Sequence, residues 1–357
     1  MPESCIPCVA FAPLGLISKK AFGQYREAMV LLRLAAERRG ARPSDPFAKF
    51  FERRASLRHM RFALFVLAWL CLFALTCFPP FAQAQDPRLA KAIAAVEAQI
   101  HKSGADVALA FHTLDGKEQW FRNPDEKFHA ASTMKIPVMI ELFHQAKEGK
   151  LKLDDVLTVK NEFHSLVDGS AFTLKAADDS EADLYKAEGQ TRTLRQLCEL
   201  MITASSNLAT NLLIEKLDVP NIRATVHSLG ADGMQVLRGV EDDKAFEKGL
   251  NNTTTARGLQ QLLEAIARGE AVDAEASNEM IEILKRQRFN EGIPAGLPAG
   301  MPVAHKTGEI TKIHHDAAIV FGPRPFVLVI LVRGLADIKE SSALIADITR
   351  LLYAAAQ

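Results

Sequence analysis

The stretch HAASTMKIPVMIELF, residues 129–143, decides how the chain is read. It sets Ser132 and Lys135 three residues apart at the start of an otherwise apolar helix. At that spacing the two side chains share one helix face about one turn apart, a nucleophile beside a base. The first turn adds backbone N–H groups without intrahelical partners, whose positive end favours a developing oxyanion. Alone the pattern is unspecific, because a Ser N-cap with a surface Lys is its commonest meaning. Two further elements follow in order: Ser205-Ser206-Asn207 within ITASSNLATNLLI, at a helix start, and Lys306-Thr307-Gly308 within AHKTGEI, on a strand.

The elements around these motifs follow from periodicity. PRLAKAIAAVEAQIHKS predicts a helix, and ADVALAFHTLDGKEQWFR alternates and turns at Asp115-Gly116, which predicts a hairpin. Helical spacing returns over 131–149, 193–217, 254–269 and 278–287. PVAHKTGEI, HHDAAIVFG and PFVLVILVRG read as three strands before a closing helix, ESSALIADITRLLYAA. An α/β fold follows: a five-stranded antiparallel sheet joining both chain ends, flanked by terminal helices, with an inserted all-helical domain and a cleft at the junction. Residues 85–130 and 276–357 form the α/β part and 131–275 the helical part. The stretches 160–192 and 230–253 are too polar and too long for connectors, so they are candidate functional loops.

The chain has 357 residues, 48% hydrophobic and 24% charged, with 43 basic and 43 acidic side chains and formal net charge zero. This balance argues against a nucleic-acid partner and points to a small molecule bound in a local positive cleft. Upstream, RRASLRHMR (53–61) precedes the apolar FALFVLAWLCLFALTC (62–77) and then Ala82-Gln83-Ala84. This is read as a signal peptide over 60–84, cleaved after Ala84; the apolar run is short for a membrane span. Residues 1–59 are an N-terminal extension, either a misassigned start with Met60 as the true first residue or a cytosolic tail. Membrane association is expected only through an uncleaved signal segment. Only Cys198 remains after cleavage, so no internal disulfide can form, and its apolar helical neighbours mark it as an inert buried thiol. His314, His315 and Asp316 are adjacent on a strand, where neighbours face opposite ways, so no metal site is expected.

Ser-x-x-Lys, Ser-x-Asn and Lys-Thr-Gly in this order resemble the class A β-lactamases and penicillin-binding proteins from about residue 90 to the end. TLRQLCELMITASSNLATNLLIEKLD and LNNTTTARGLQQLL carry the resemblance in the flanks. It implies Ser132 as the acylating nucleophile, Lys135 as its base, Ser205 as proton relay to the departing lactam nitrogen, and Asn207 as the group orienting Lys135 and the substrate amide. Lys306 and Thr307 would bind an anionic substrate carboxylate, Gly308 would admit the substrate close to the strand, and the amides of Ser132 and Glu309 would form the oxyanion hole. A loop glutamate would activate the deacylating water. Two compete: Glu247 opens a literal Glu-x-x-Leu-Asn, whereas Glu241, just after Arg238 and eleven residues before Asn252, has the spacing of the family's loop.

The chain departs from the family pattern in four places. Glu241 as base leaves Ala245 where a water-holding asparagine is usual. Ser206 replaces the commoner aspartate of the middle motif. His315 falls, by counting from Lys306, where an arginine often grips the carboxylate; a His bonded to Asp316 is the structural alternative. The 163–190 loop is long and carries six acids; it either reshapes the cleft rim or is a solvated loop, and the solvated loop is the reading preferred. The implied function is an exported, periplasmic or secreted serine β-lactamase without cofactor, acting as a monomer on a β-lactam. The alternatives are a D-alanyl-D-alanine peptidase or esterase, and a non-hydrolytic penicillin-sensing domain.

Overall fold

In the computed structural model residues 86–357 are described, and the signal-peptide and N-terminal extension readings lie outside them. Helix α1 (Pro87–Ser103) begins where Asp86 caps the Arg88 amide at 2.7 Å and ends at Gly104 in left-handed conformation. Strands β1 (Asp106–Thr113) and β2 (Gln119–Arg122) form the expected hairpin. A two-residue strand β3 (Phe128–His129) leads into a 3-10 turn, Ala131–Met134, and then α2 (Lys135–Lys147).

The region between is made of β4 (Val156–Thr158), β5 (Phe163–His164), β6 (Ala171–Phe172) and β7 (Thr191–Thr193), paired β4 with β7 and β5 with β6. The 160–192 loop therefore has its own hairpin, and it buries Phe163, Leu174, Asp179, Leu184 and Ala187, which corrects its reading as a solvated loop. The helical run expected over 193–217 is two helices, α3 (Leu194–Thr203) and α4 (Asn207–Leu217). A Thr193–Gln196 capping box starts the first, and Ser205, with φ 57°, breaks the run before Ser206 caps the second. After α5 (Val219–Ser228) the second loop carries the short α6 (Asp243–Glu247) and closes in β8 (Thr253–Thr254), paired with β3. Helices α7 (Ala256–Arg268) and α8 (Ala274–Lys285) follow, the latter running across the expected 275/276 boundary.

The chain then returns to the sheet with β9 (Val303–Ile310), β10 (Ile313–Val320) and β11 (Phe326–Arg333), and ends in α9 (Ile338–Ala356). The order β2-β1-β11-β10-β9, antiparallel throughout, joins both chain ends as the sequence predicts. Both faces are buried, which is why β11 reads as an unbroken apolar run. Phe326, Leu328, Ile330 and Val332 face α1 and α9, while Val327, Val329 and Leu331 join the larger core shared with the helical part. β9 is thus the edge strand that borders the helical elements.

Candidate active site

Ser132 sits in the 3-10 turn, not in the α-helix proper, and the residue before it, Ala131, has φ 45°. A non-glycine residue in the left-handed region carries backbone strain that surrounding structure must hold. The neighbouring amides are engaged: Ala131 N–H donates to His129 Nδ1 at 3.0 Å and Thr133 N–H to Ala130 O at 3.1 Å. His315 supports the same segment from below, its Nε2–H donating to His129 O at 2.9 Å while its Nδ1 accepts from the Val332 amide at 3.2 Å. Gly308 on β9 pairs with His315, and a Cβ there would meet Thr133 Cγ2, Ala130 O and Ala131 Cβ at 3.1–3.2 Å. The glycine thus lets the Lys-Thr-Gly strand press against the turn that carries Ser132.

Lys135 is completely buried, and burial pulls its ammonium down to about 7, against the opposing fields of Asp179 and Glu241. Its three acceptors are Ser205 O at 2.6 Å, Asn207 Oδ1 at 2.9 Å and Ser205 Oγ at 3.2 Å. From the opposite wall Lys306, equally buried, donates to Ser205 Oγ at 3.0 Å and to Thr307 O at 2.8 Å. Burial, and then the neighbouring charge of Lys135, hold Lys306 well below the usual lysine range. A hydroxyl oxygen accepting from two lysine Nζ groups has both lone pairs occupied, so its own proton is left to point elsewhere.

Glu241, also at positive φ (60°), accepts from Asn207 Nδ2 at 2.6 Å. Burial pushes its carboxyl up, with the Asn207 hydrogen bond pulling the other way. Its backbone is clamped by Asn211, which accepts from Val240 N–H at 2.7 Å and donates to Val240 O at 3.0 Å. Asn252 ties the loop's neck by accepting from the Leu237 and Arg238 amides, and Arg238 donates to Leu250 O and Gly239 O. Glu247 lies exposed at the end of α6, and Ala245 is buried in that helix with its amide on Asp242.

Ser132, Ser205, Asn207, Thr307 and Glu309 line one cleft of about 860 Å³, with Lys135 and Lys306 beneath it. Two expectations about the last strands are corrected. Strand alternation turns His315 into the interior under Gly308, away from the side on which Thr307 pairs with Asp316. It is fully buried, and burial brings its imidazole down to about 4, so it is neutral and grips no carboxylate. The histidine bonded to Asp316 is His305 on the paired strand β9, at 2.9 Å, and not His315; the other Asp316 oxygen accepts from the Ile293 amide at 2.8 Å. His314 lines the cleft instead, with its buried Nδ1 unpartnered. Cys198 is buried, its thiol pushed up to about 12 by burial, as its helical setting predicts.

Sequence reasoning missed Asp179. Its Oδ2 accepts from the Asn207 and Leu208 amides at 2.8 and 2.9 Å, from Tyr185 OH at 3.0 Å and from Ser206 Oγ at 3.3 Å. The only signal for it was Ser206 standing where the family's middle motif usually has an acid.

Comparisons with known proteins agree with this geometry. The chain is 28% identical over 246 residues to a β-lactamase of Bacillus licheniformis, covering 65% of this chain and 73% of that one. The crystal structure of a β-lactamase from Sphaerobacter thermophilus superposes with a TM-score of 0.61 at 27% identity, over 75% of this chain and 96% of that one. PBP-A superposes with a TM-score of 0.64 at 27% identity, over 78% and 98% of the two chains. Residues 88–356 match the family described as the β-lactamase enzyme family, and the chain with this sheet, this cleft and these three motifs belongs to it.

Proposed function

We propose that the chain is an exported class A-type serine β-lactamase, cleaved after Ala84 and working in the periplasm or outside the cell. What carries the reading is the convergence of Lys135 and Lys306 on Ser205 Oγ beside Ser132, with Glu241 held on Asn207. Ser132 Oγ attacks the lactam carbonyl carbon and gives its proton to neutral Lys135, whose pKa near 7 suits a base at neutral pH. The amides of Ser132 and Glu309 bind the oxyanion. As the C–N bond breaks, Ser205 passes its proton to the ring nitrogen and is reprotonated from Lys135. Lys306 and Thr307 bind the substrate carboxylate, and Gly308 leaves the strand open to it.

Glu241 then takes a proton from water, whose oxygen bonds to the acyl carbon, and Ser132 leaves with its proton restored. Contact with Asn207 and a raised carboxyl support Glu241 over the exposed Glu247. A second reading, a D-alanyl-D-alanine peptidase or esterase that forms an acyl-enzyme, is favoured by the apolar Ala245 within the loop and by the likeness to PBP-A.

The test is turnover of a chromogenic cephalosporin by residues 85–357, followed together with intact mass, for the unmodified protein, Ser132→Ala and Glu241→Gln. Turnover lost in both variants, with an acyl adduct trapped only in Glu241→Gln, is the expected result. A stable adduct on the unmodified protein without turnover sinks the hydrolase reading and favours the second, or a penicillin sensor.

A further inference from the structure

Asp179 comes from the long 160–192 loop, yet it is only 8% exposed and reaches the start of α4. There one carboxylate oxygen receives four donors: the amides of Asn207 and Leu208 and the hydroxyls of Tyr185 and Ser206. Its other oxygen accepts from the Glu181 amide at 2.9 Å, which fixes the loop's own backbone. A carboxylate at a helix N-terminus satisfies amides that would otherwise lack partners and complements the positive end of the helix. The helix it caps begins at Asn207, whose side chain joins the two halves of the site by accepting from Lys135 and donating to Glu241. Ser206 caps the same helix with its hydroxyl on the Ala209 amide at 3.2 Å, too short a side chain to supply a charge as well.

We propose that Asp179 is a positioning residue for the acylation site: it supplies, from a loop some 28 residues upstream, the negative charge that the Ser-Ser-Asn motif lacks at Ser206, and so fixes Asn207 between Lys135 and Glu241. The loop bearing six acids is then part of the active-site architecture. Its hydrogen-bond reach defines which residue matters: Asp178, one position earlier, lines the cleft mouth and stays at the rim. The charges facing Lys135 are Asp179 and Glu241, both raising its proton affinity, with Lys306 as the nearest like charge. Removing Asp179 therefore lowers the proton affinity of Lys135 and loosens the Asn207 bridge.

This inference rests on the acyl-enzyme reading above, so the experiment separates the two. Asp179→Asn, Asp179→Ala and the double variant Asp179→Ala/Ser206→Asp are compared with the unmodified protein in two measurements. The first is the acylation rate with a fluorescent penicillin; the second is the titration of Lys135 followed by NMR of its ¹³C-labelled ε-carbon. The expected result is an acylation rate about tenfold lower in Asp179→Asn, equivalent to losing about 1.4 kcal/mol. Its Lys135 midpoint moves below about 7. Recovery of both readings in the double variant is expected, because Asp at 206 returns the charge to the same helix end. Unchanged acylation and an unchanged Lys135 midpoint in Asp179→Asn overturn the proposal, as does failure of the double variant to improve on Asp179→Ala. No acylation of the unmodified protein overturns the acyl-enzyme reading alone, and the Lys135 titration then decides for or against Asp179.

Discussion

Lys135 and Lys306 donate to the same oxygen, Ser205 Oγ, from 3.2 and 3.0 Å, and both are completely buried. Each amine has lost its hydration, so both give up protons more readily than free lysine, and Lys306 does so further because of the charge of Lys135. In the proposed mechanism the hydroxyl between them carries the proton to the leaving nitrogen. Ser205→Ala is expected to slow acylation by about 10²-fold, the low end of what one positioned proton donor contributes. Stopped-flow acylation with a fluorescent penicillin, at unchanged thermal midpoint, checks it. A loss of twofold or less removes Ser205 from the proton path.

Burial of Lys135 also has a cost that depends on pH. Its folded pKa, about 7, lies below the unfolded value, so between pH 7 and 10.5 the unfolded chain holds the proton more often and stability rises with pH. Below pH 7 the full cost of the buried charge is present. Lys135→Met is expected to melt higher than the unmodified protein at pH 6, by an advantage that shrinks as pH rises toward 10. Calorimetry across that range checks the sign; an advantage that grows with pH refutes it.

Gly239 lies against Asn211, where a Cβ would come 2.5 Å from Oδ1. That oxygen accepts from the Val240 amide and fixes the backbone next to Glu241. Gly239→Ala is expected to push the clamp aside and slow deacylation at least tenfold more than acylation. Accumulation of acyl-enzyme in intact-mass spectra during turnover is the reading that decides.

His315 is neutral and bonded to the carbonyl of His129, three residues before Ser132. Its imidazole sits at about 4 against 6.5 in an open chain, so the unfolded state takes up the proton first, and stability falls as pH drops from 6.5 to 4. His315→Leu removes this acid sensitivity, leaves His129 O without its donor, and destabilises the fold at pH 7 by about 1–3 kcal/mol. Urea denaturation at pH 5 and pH 7 tests both parts.

The motif residues could be read in order because each lies on an element whose period is visible: Ser132 and Lys135 at a helix start, Ser205 and Asn207 at another, Lys306 to Glu309 on a strand. The break at Ser205 was hidden, since apolar spacing continues through α3 and α4 and only a left-handed residue separates them. His315 was misplaced by counting along the chain, where the facing of a strand residue depends on parity and on the pairing of His315 with Gly308. The contact from Asp179 to Ser206 spans 27 positions between a loop and a helix end, and no periodicity links such a pair. Within the 163–190 loop its acids looked alike, although one is buried on a helix and another sits at the rim.

The sheet places β1 against β11, with Asp106 opposite Arg333 and Thr113 opposite Phe326, more than two hundred positions apart. A growing chain therefore makes β1 long before the partner that completes it, and loops of that length close slowly. During synthesis the first strand waits with its ladder unpaired, and the protein can mature only once almost its whole length has been released. Late closure of this kind would keep the chain unfolded for the passage across a membrane that the proposed export requires.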